Sequence, residues 1–172
     1  MPSNETVLFV YGTLKRGQPN HRYLVDRNTG YCRFVSEAKT EEKWPLVIAS
    51  KYNIPYLLNT KGVGKRVHGE VYYVDEKKLK TLDEFEGYPE YYEKFEIAVE
   101  LYSFHCEELR LRKMFAWAYI LTDFDEKLLK YDKYEKYDAY GEHGLYYVQQ
   151  CERNDAQKYN PLEDVKKESS AS

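Results

Sequence analysis

Five consecutive residues, Val7-Leu8-Phe9-Val10-Tyr11, form an unbroken apolar, partly β-branched run that stops at Gly12. A strand with one face in water alternates apolar and polar residues. This run does not, so it predicts a strand buried on both faces. A chain of 172 residues, 42% of them hydrophobic, is long enough to enclose such a strand in one substantial core.

Other segments supply the rest of a sheet. Pro45 to Ala49 and Tyr56 to Leu58 read as short strands separated by the Asn53-Ile54-Pro55 bend. Lys61-Gly62-Val63-Gly64 is a loop signal, and Val67 to Val74 is a strand with Val67, Gly69, Val71 and Tyr73 on one side. Phe95 to Phe104 and Met114 to Leu121 follow, joined by the irregular, charged stretch Glu107 to Lys113. Helices are few. Thr13 to Gly17 is a turn leading into a short helical piece that Gln18-Pro19-Asn20 interrupts. Asp75 caps a helix running through Lys80 toward Phe85, with Gly87 placed to stop it and Pro89 beyond. A further helix covers Asp125 to Leu129 or slightly more. Many strands and few helices predict an α+β fold around a small, closed or nearly closed sheet. The expected organisation is one domain over residues 1–160, then a polar tail over 161–172 that frays.

Charge and composition remove several function classes. A net charge of -3 and a pI near 5.9 argue against nucleic-acid binding, which wants a basic face. No apolar run approaches the roughly 18 residues of a membrane span, and Met1 to Glu5 lacks the pattern of a secretory signal. Cys32, Cys106 and Cys151 are odd in number and lack metal-type spacing, which fits a reducing, cytoplasmic setting. His21, His68, His105 and His143 are scattered singly, so no metal site is expected. No long apolar stripe is left over once the core is assigned, and a monomer is expected. The 19 tyrosines suit a semi-polar cavity, and suit a plain core nearly as well.

One carboxylate is out of place. At about 100° per residue, Leu79, Leu82 and Phe85 form an apolar stripe on the Asp75-capped helix, and Glu86 projects from its middle. Asp83 borders the stripe and Glu84 points the opposite way. Apolar surroundings disfavour the anion and raise the pKa toward neutrality, which suits a general base that later acts as an acid. Two plainer outcomes stay open: Glu86 bends out to water past the helix end, or it sits in a buried structural ion pair. A second feature is complementary. The first strand runs into Tyr11-Gly12-Thr13-Leu14, where free backbone N–H groups at a sheet edge can hold a carboxylate or a developing oxyanion. Gly12 there admits a close approach by a ligand. An ordinary turn is the plain alternative.

Val10 to Gly17, taken with Leu82-Asp83-Glu84-Phe85-Glu86-Gly87, resembles the γ-glutamylcyclotransferase superfamily. Gln18 to Arg22, Pro45 to Ile48, Asn53-Ile54-Pro55 and His143-Gly144-Leu145 narrow the resemblance to the branch acting on γ-glutamyl amines, across residues 7–150. The resemblance implies a small mixed β-barrel with flanking helices and a cavity at one end. It implies cofactor-independent attack of a glutamyl α-amine on its own γ-amide carbonyl, releasing 5-oxoproline and an amine, as in breakdown of transglutaminase cross-link isopeptides. Glu86 matches the family's catalytic glutamate, and Tyr11, Gly12, Thr13 and Leu14 match its substrate loop. The segment Tyr131 to Tyr140 and the tail beyond Gln150 depart from the branch. Tyr146 could line or cover the cavity, with a surface role the alternative. A cyclotransferase for γ-glutamyl amines is expected. Turnover of other γ-glutamyl compounds, such as dipeptides or glutathione, is the alternative, as is a non-catalytic binding protein on the same fold.

Overall fold

A computed structural model of the chain describes residues 4–102, 112–153 and 165–166. The first strand, β1 (Thr6–Val10), is followed by helix α1 (His21–Val25) and the long strand β2 (Cys32–Trp44). A hairpin, β3 (Leu46–Ala49) and β4 (Ile54–Leu57), precedes β5 (Lys65–Val74), helix α2 (Glu76–Glu86), β6 (Glu93–Tyr102) and β7 (Arg112–Ile120). Strands β1, β5, β2, β6 and β7 hydrogen-bond in that order and close into a barrel. All neighbours are antiparallel except β1 and β7, which pair in parallel at Leu8 and Trp117 and seal it.

Closure explains the first strand. Phe9 points with Val67, Val71, Ile97, Val99 and Ala116 into one core, while Leu8 and Val10 join a second with Leu24, Tyr72, Leu82 and Tyr119. Its two faces thus fill the barrel and the layer between barrel and helices, as the unbroken apolar run predicts. Gly69 of β5 lies where a side chain would collide, since a Cβ there would stand 2.4 Å from the Val10 carbonyl oxygen.

Asp75 caps α2 as its sequence predicts, its side chain accepting from the Lys78 amide at 2.8 Å. Gly87 ends it in the left-handed conformation, φ 67°. The buried stripe differs from the one periodicity predicts. Leu82 is fully buried and Leu79 half-buried, but Phe85 is 39% exposed and instead packs its ring 5.0 Å from Tyr23 of α1. The other fully buried side chain is Lys78, whose ammonium donates to the carbonyls of Tyr23 and Asp26 and to Thr29 Oγ1 at 2.7–3.1 Å. These bonds satisfy all three donors and fasten α2 to α1 and the segment after it.

Several boundaries move. The helical piece near the loop begins after the Gln18-Pro19-Asn20 interruption, not before it. Ile54 and Pro55 belong to β4, and the bend is Ser50 to Asn53, whose ends take left-handed φ values of 67° and 55°. Pro55 is tolerated because the hairpin is only two strands wide. The Asp125-capped helix is a 3-10 helix, Glu126–Lys130. The sequence reading gives β2 no element, although it is the longest strand at 13 residues. Cys106, His105, most of the charged stretch after β6 and most of the expected tail lie outside the described residues. Val165, within that tail, is buried in the second core and accepts a backbone hydrogen bond from Asp125.

Candidate active site

Both marked features line one cavity. The Tyr11–Leu14 turn leaves the end of β1, α2 delivers Glu86 from its last turn, and Tyr56 of β4, Tyr92 and Tyr119 of β7 complete the surround. Glu86 is half-buried: packed deep among protein atoms, it keeps accessible surface toward the cavity. Burial pushes its carboxyl up to about 8, and no neighbouring cation offsets the effect. Burial makes the phenols of Tyr11, Tyr56, Tyr92 and Tyr119 reluctant to ionise, and the Glu86 carboxylate adds to the effect at each. Neither plain alternative describes this position, since among the described residues Glu86 has no ion-pair partner and does not turn away from the cavity. Glu84 is exposed, and Asp83 accepts from the Tyr119 hydroxyl at 2.7 Å while pairing with Lys94 at 2.9 Å.

The loop is latched through its carbonyls and side chains. The carbonyl of Gly12 accepts from the Lys15 amide, that of Thr13 from the Asn20 amide, and that of Leu14 meets His21 Nδ1 at 2.8 Å. Lys15, buried, donates its ammonium to the Tyr137 carbonyl at 2.6 Å, and burial pulls it down to about 8. Arg16 binds the buried Glu70 through both its amide and its guanidinium. Among the described residues, the amides of Gly12, Thr13 and Leu14 make no hydrogen bond. Donors fixed in this way, with nothing accepting from them, form a concavity for an anion. Two expectations are refined here. The space left by Gly12 is taken by Pro55, which would lie 3.0 Å from an added Cβ. The Tyr11 hydroxyl is committed to the Tyr119 carbonyl at 2.6 Å, so Tyr11 holds the wall in place.

Asn20, Arg22, Tyr147 and Arg153 are among the cavity residues that the sequence does not mark as a site. Asn20 is buried and donates from Nδ2 both to Thr13 Oγ1 at 2.9 Å and to the Tyr147 hydroxyl at 3.0 Å. Arg153 donates to that same hydroxyl, and Arg22 of α1 lines the cavity close by. Tyr147, 7% exposed, takes the place expected for Tyr146, which is 56% exposed. Adjacent residues in extended backbone face opposite ways. The tyrosines recurring every third residue divide similarly: Tyr137 is buried in the barrel core, while Tyr131 and Tyr140 are exposed.

A five-stranded closed barrel with a recessed, high-pKa carboxyl beside unfilled backbone amides describes a small enzyme-like pocket protein. The chain belongs to the γ-glutamyl cyclotransferase, AIG2-like family, whose model matches residues 8–139. It is 44% identical over 148 residues to γ-glutamylaminecyclotransferase C of Danio rerio, covering 86% of this chain and 96% of that one. It is 52% identical over 95 residues to γ-glutamylaminecyclotransferase of Homo sapiens, covering 55% and 62% of the two chains. Its fold matches the crystal structure of an AIG2-like protein from Mus musculus with a TM-score of 0.80 and 37% identity, over 87% of this chain and 99% of that one.

Proposed function

We propose that this protein converts γ-glutamyl amines, such as γ-glutamyl-ε-lysine, to 5-oxoproline and the free amine. The observation that carries the reading is the pairing of Glu86, its carboxyl raised to about 8 by burial alone, with the unfilled Gly12–Leu14 amides in one cavity. Relatives bearing the name γ-glutamylaminecyclotransferase support it.

In this mechanism the substrate's glutamyl part lies on the Tyr11–Leu14 loop, its oxygens held by backbone N–H groups. Glu86 accepts a proton from the α-ammonium. The freed amine attacks the γ-carbonyl carbon, a C–N bond forms and closes a five-membered ring, and the carbonyl oxygen becomes an oxyanion. Collapse breaks the bond to the departing nitrogen, which takes that proton from Glu86; the ring nitrogen then passes its second surplus proton through the same carboxylate, so the amine leaves as an ammonium. Atoms balance without water. The protein's main contribution is alignment, because ring closure needs amine and carbonyl held in attack geometry.

Release of 5-oxoproline from γ-glutamyl-ε-lysine is the direct assay, and Glu86→Gln is expected to lower kcat at least about 100-fold. Activity surviving that substitution removes Glu86 from its role. A panel adding γ-glutamyl-alanine and glutathione tests substrate class, and γ-glutamyl amines are expected to be the better substrates. The enzyme is proposed to work as a cytoplasmic monomer, one domain over residues 1–160 to which Val165 of the following segment adds, in breakdown of cross-link isopeptides. No helix among the described residues is long and apolar enough to cross a membrane.

A further inference from the structure

Tyr147 lines the active-site cavity at the end where the substrate loop lies, and its phenol is fixed in place. Its amide donates to the Ala139 carbonyl, and the next amide, of Val148, donates to that of Tyr52. Its hydroxyl accepts two hydrogen bonds, from Asn20 Nδ2 at 3.0 Å and from Arg153 Nη2 at 3.3 Å. Arg153 is anchored in turn by its Nε bond to the Val148 carbonyl and by the Tyr52 ring, whose centroid lies 4.2 Å from the guanidinium. On the loop side, Asn20 Nδ2 also donates to Thr13 Oγ1 at 2.9 Å. One chain of bonds runs from Arg153 through Tyr147 and Asn20 to the loop.

The protons along this chain fix what its cavity face can bind. Guanidinium and amide nitrogens only donate, so the Tyr147 oxygen accepts both bonds. A phenol has two lone pairs and one hydrogen. With both lone pairs taken, it has only the hydrogen to offer, and among the described residues nothing accepts it. The Thr13 hydroxyl likewise accepts from Asn20 and donates to no described residue. Together with the amides of Gly12, Thr13 and Leu14, these hydrogens make the loop end of the cavity rich in unspent donors. The Arg153 charge stands directly behind the phenol, and among the described residues no carboxylate pairs with it. That charge favours a ligand group with a standing negative charge over an oxyanion that forms only in passing. A γ-glutamyl substrate carries such a group, the α-carboxylate, on the same carbon as the attacking amine.

We propose that the Tyr147 hydroxyl donates its hydrogen to the substrate's α-carboxylate, completing with the loop amides the cradle that turns the α-amine toward Glu86. This rests on the activity proposed above and adds a further residue that touches the substrate. Asn20 and Arg153 are positioning residues in it. They aim the hydrogen by filling the lone pairs, and donation from the guanidinium strengthens the phenol as a donor.

The test crosses one substitution with one change of substrate. Tyr147→Phe removes the hydroxyl and keeps the ring. The substrates are γ-glutamyl-ε-lysine and its analogue with the glutamyl α-carboxylate converted to a carboxamide, and release of lysine reads both. For the carboxylate substrate, kcat/KM is expected to fall about 10–100-fold, the size of one hydrogen bond to a charged group. For the carboxamide the fall should be under about threefold, since a neutral acceptor gains far less from the donor. Product binding makes the same comparison without turnover: Tyr147→Phe should bind 5-oxoproline about tenfold more weakly and 5-oxoprolinamide nearly as the native protein does. Arg153→Gln keeps the phenol and should narrow the carboxylate preference by a smaller factor, so the test stands even where Tyr147→Phe fails to fold. Equal losses on both substrates overturn the proposal, because they mean that Tyr147 only supports the loop. Undiminished kcat/KM for the carboxylate substrate overturns it too. Folded native protein that releases no 5-oxoproline from γ-glutamyl-ε-lysine overturns the activity itself.

Discussion

At the scale of single residues, Glu86 links activity and stability through one proton. A base must be ionised to accept, so kcat/KM, which reports the free enzyme, is expected to rise with pH through an inflection near 8. An inflection at the ordinary carboxylate value near 4.5 places the base elsewhere. The same shift acts on folding with a definite sign. Between 4.5 and 8 the folded state binds a proton that the unfolded state has lost, so stability falls as pH rises across that window. Glu86→Gln keeps the neutral shape and removes the ionisation. Its melting temperature should match the native protein's at pH 5 and exceed it at pH 9, by a difference worth on the order of 4 kcal/mol. Parallel melting curves across that range refute the burial argument.

At the scale of elements, α2 is fixed at both ends by local chemistry and on its flank by one lysine. Lys78→Met would leave the carbonyls of Tyr23 and Asp26 without their donor in a buried place. Urea unfolding should show a loss of about 2–4 kcal/mol, whereas a loss under about 0.5 would mean that water replaces the ammonium. This is also where sequence reading meets its limit. Asp75 and Gly87 announce α2 because caps act within a few residues, and β1 announces itself because both its faces are apolar. Lys78 gives no such signal; its partners lie about 50 positions away and are mostly backbone carbonyls. Strand β2 is hidden for another reason. Its register shifts between Phe34 and Ser36 and again between Lys39 and Lys43, and Ser36 and Thr40 take buried positions that an apolar pattern would assign to hydrophobic residues. The site divides along the same line. Glu86 and the Tyr11–Leu14 loop are visible as local anomalies, but Asn20 reaches Tyr147 across 127 positions, and only the fold brings them together.

At the scale of the whole molecule, the barrel leaves little room at its centre. Gly69→Ala would drive a methyl group into the Val10 carbonyl and the Phe9 ring, where contacts of 2.4–2.7 Å allow no relief by a flexible neighbour. Denaturant titration should record a loss of about 1–3 kcal/mol. A variant as stable as the parent would show that β1 and β5 can separate without cost.

The Asn20 bridge has a further meaning for how the molecule is made. Synthesis runs from the N-terminus, and the last strand of the barrel ends at Ile120, well before Tyr147 and Arg153 emerge. A nascent chain can thus hold all five barrel strands before Tyr137, Ala139 and Tyr147 arrive to complete the core, when Asn20 has its loop partner, Thr13, but not Tyr147. Glu86 is synthesised before Tyr147 and Arg153, which line the same cavity. Chains ending prematurely between these points would lack the part of the cavity wall that Tyr147 and Arg153 supply.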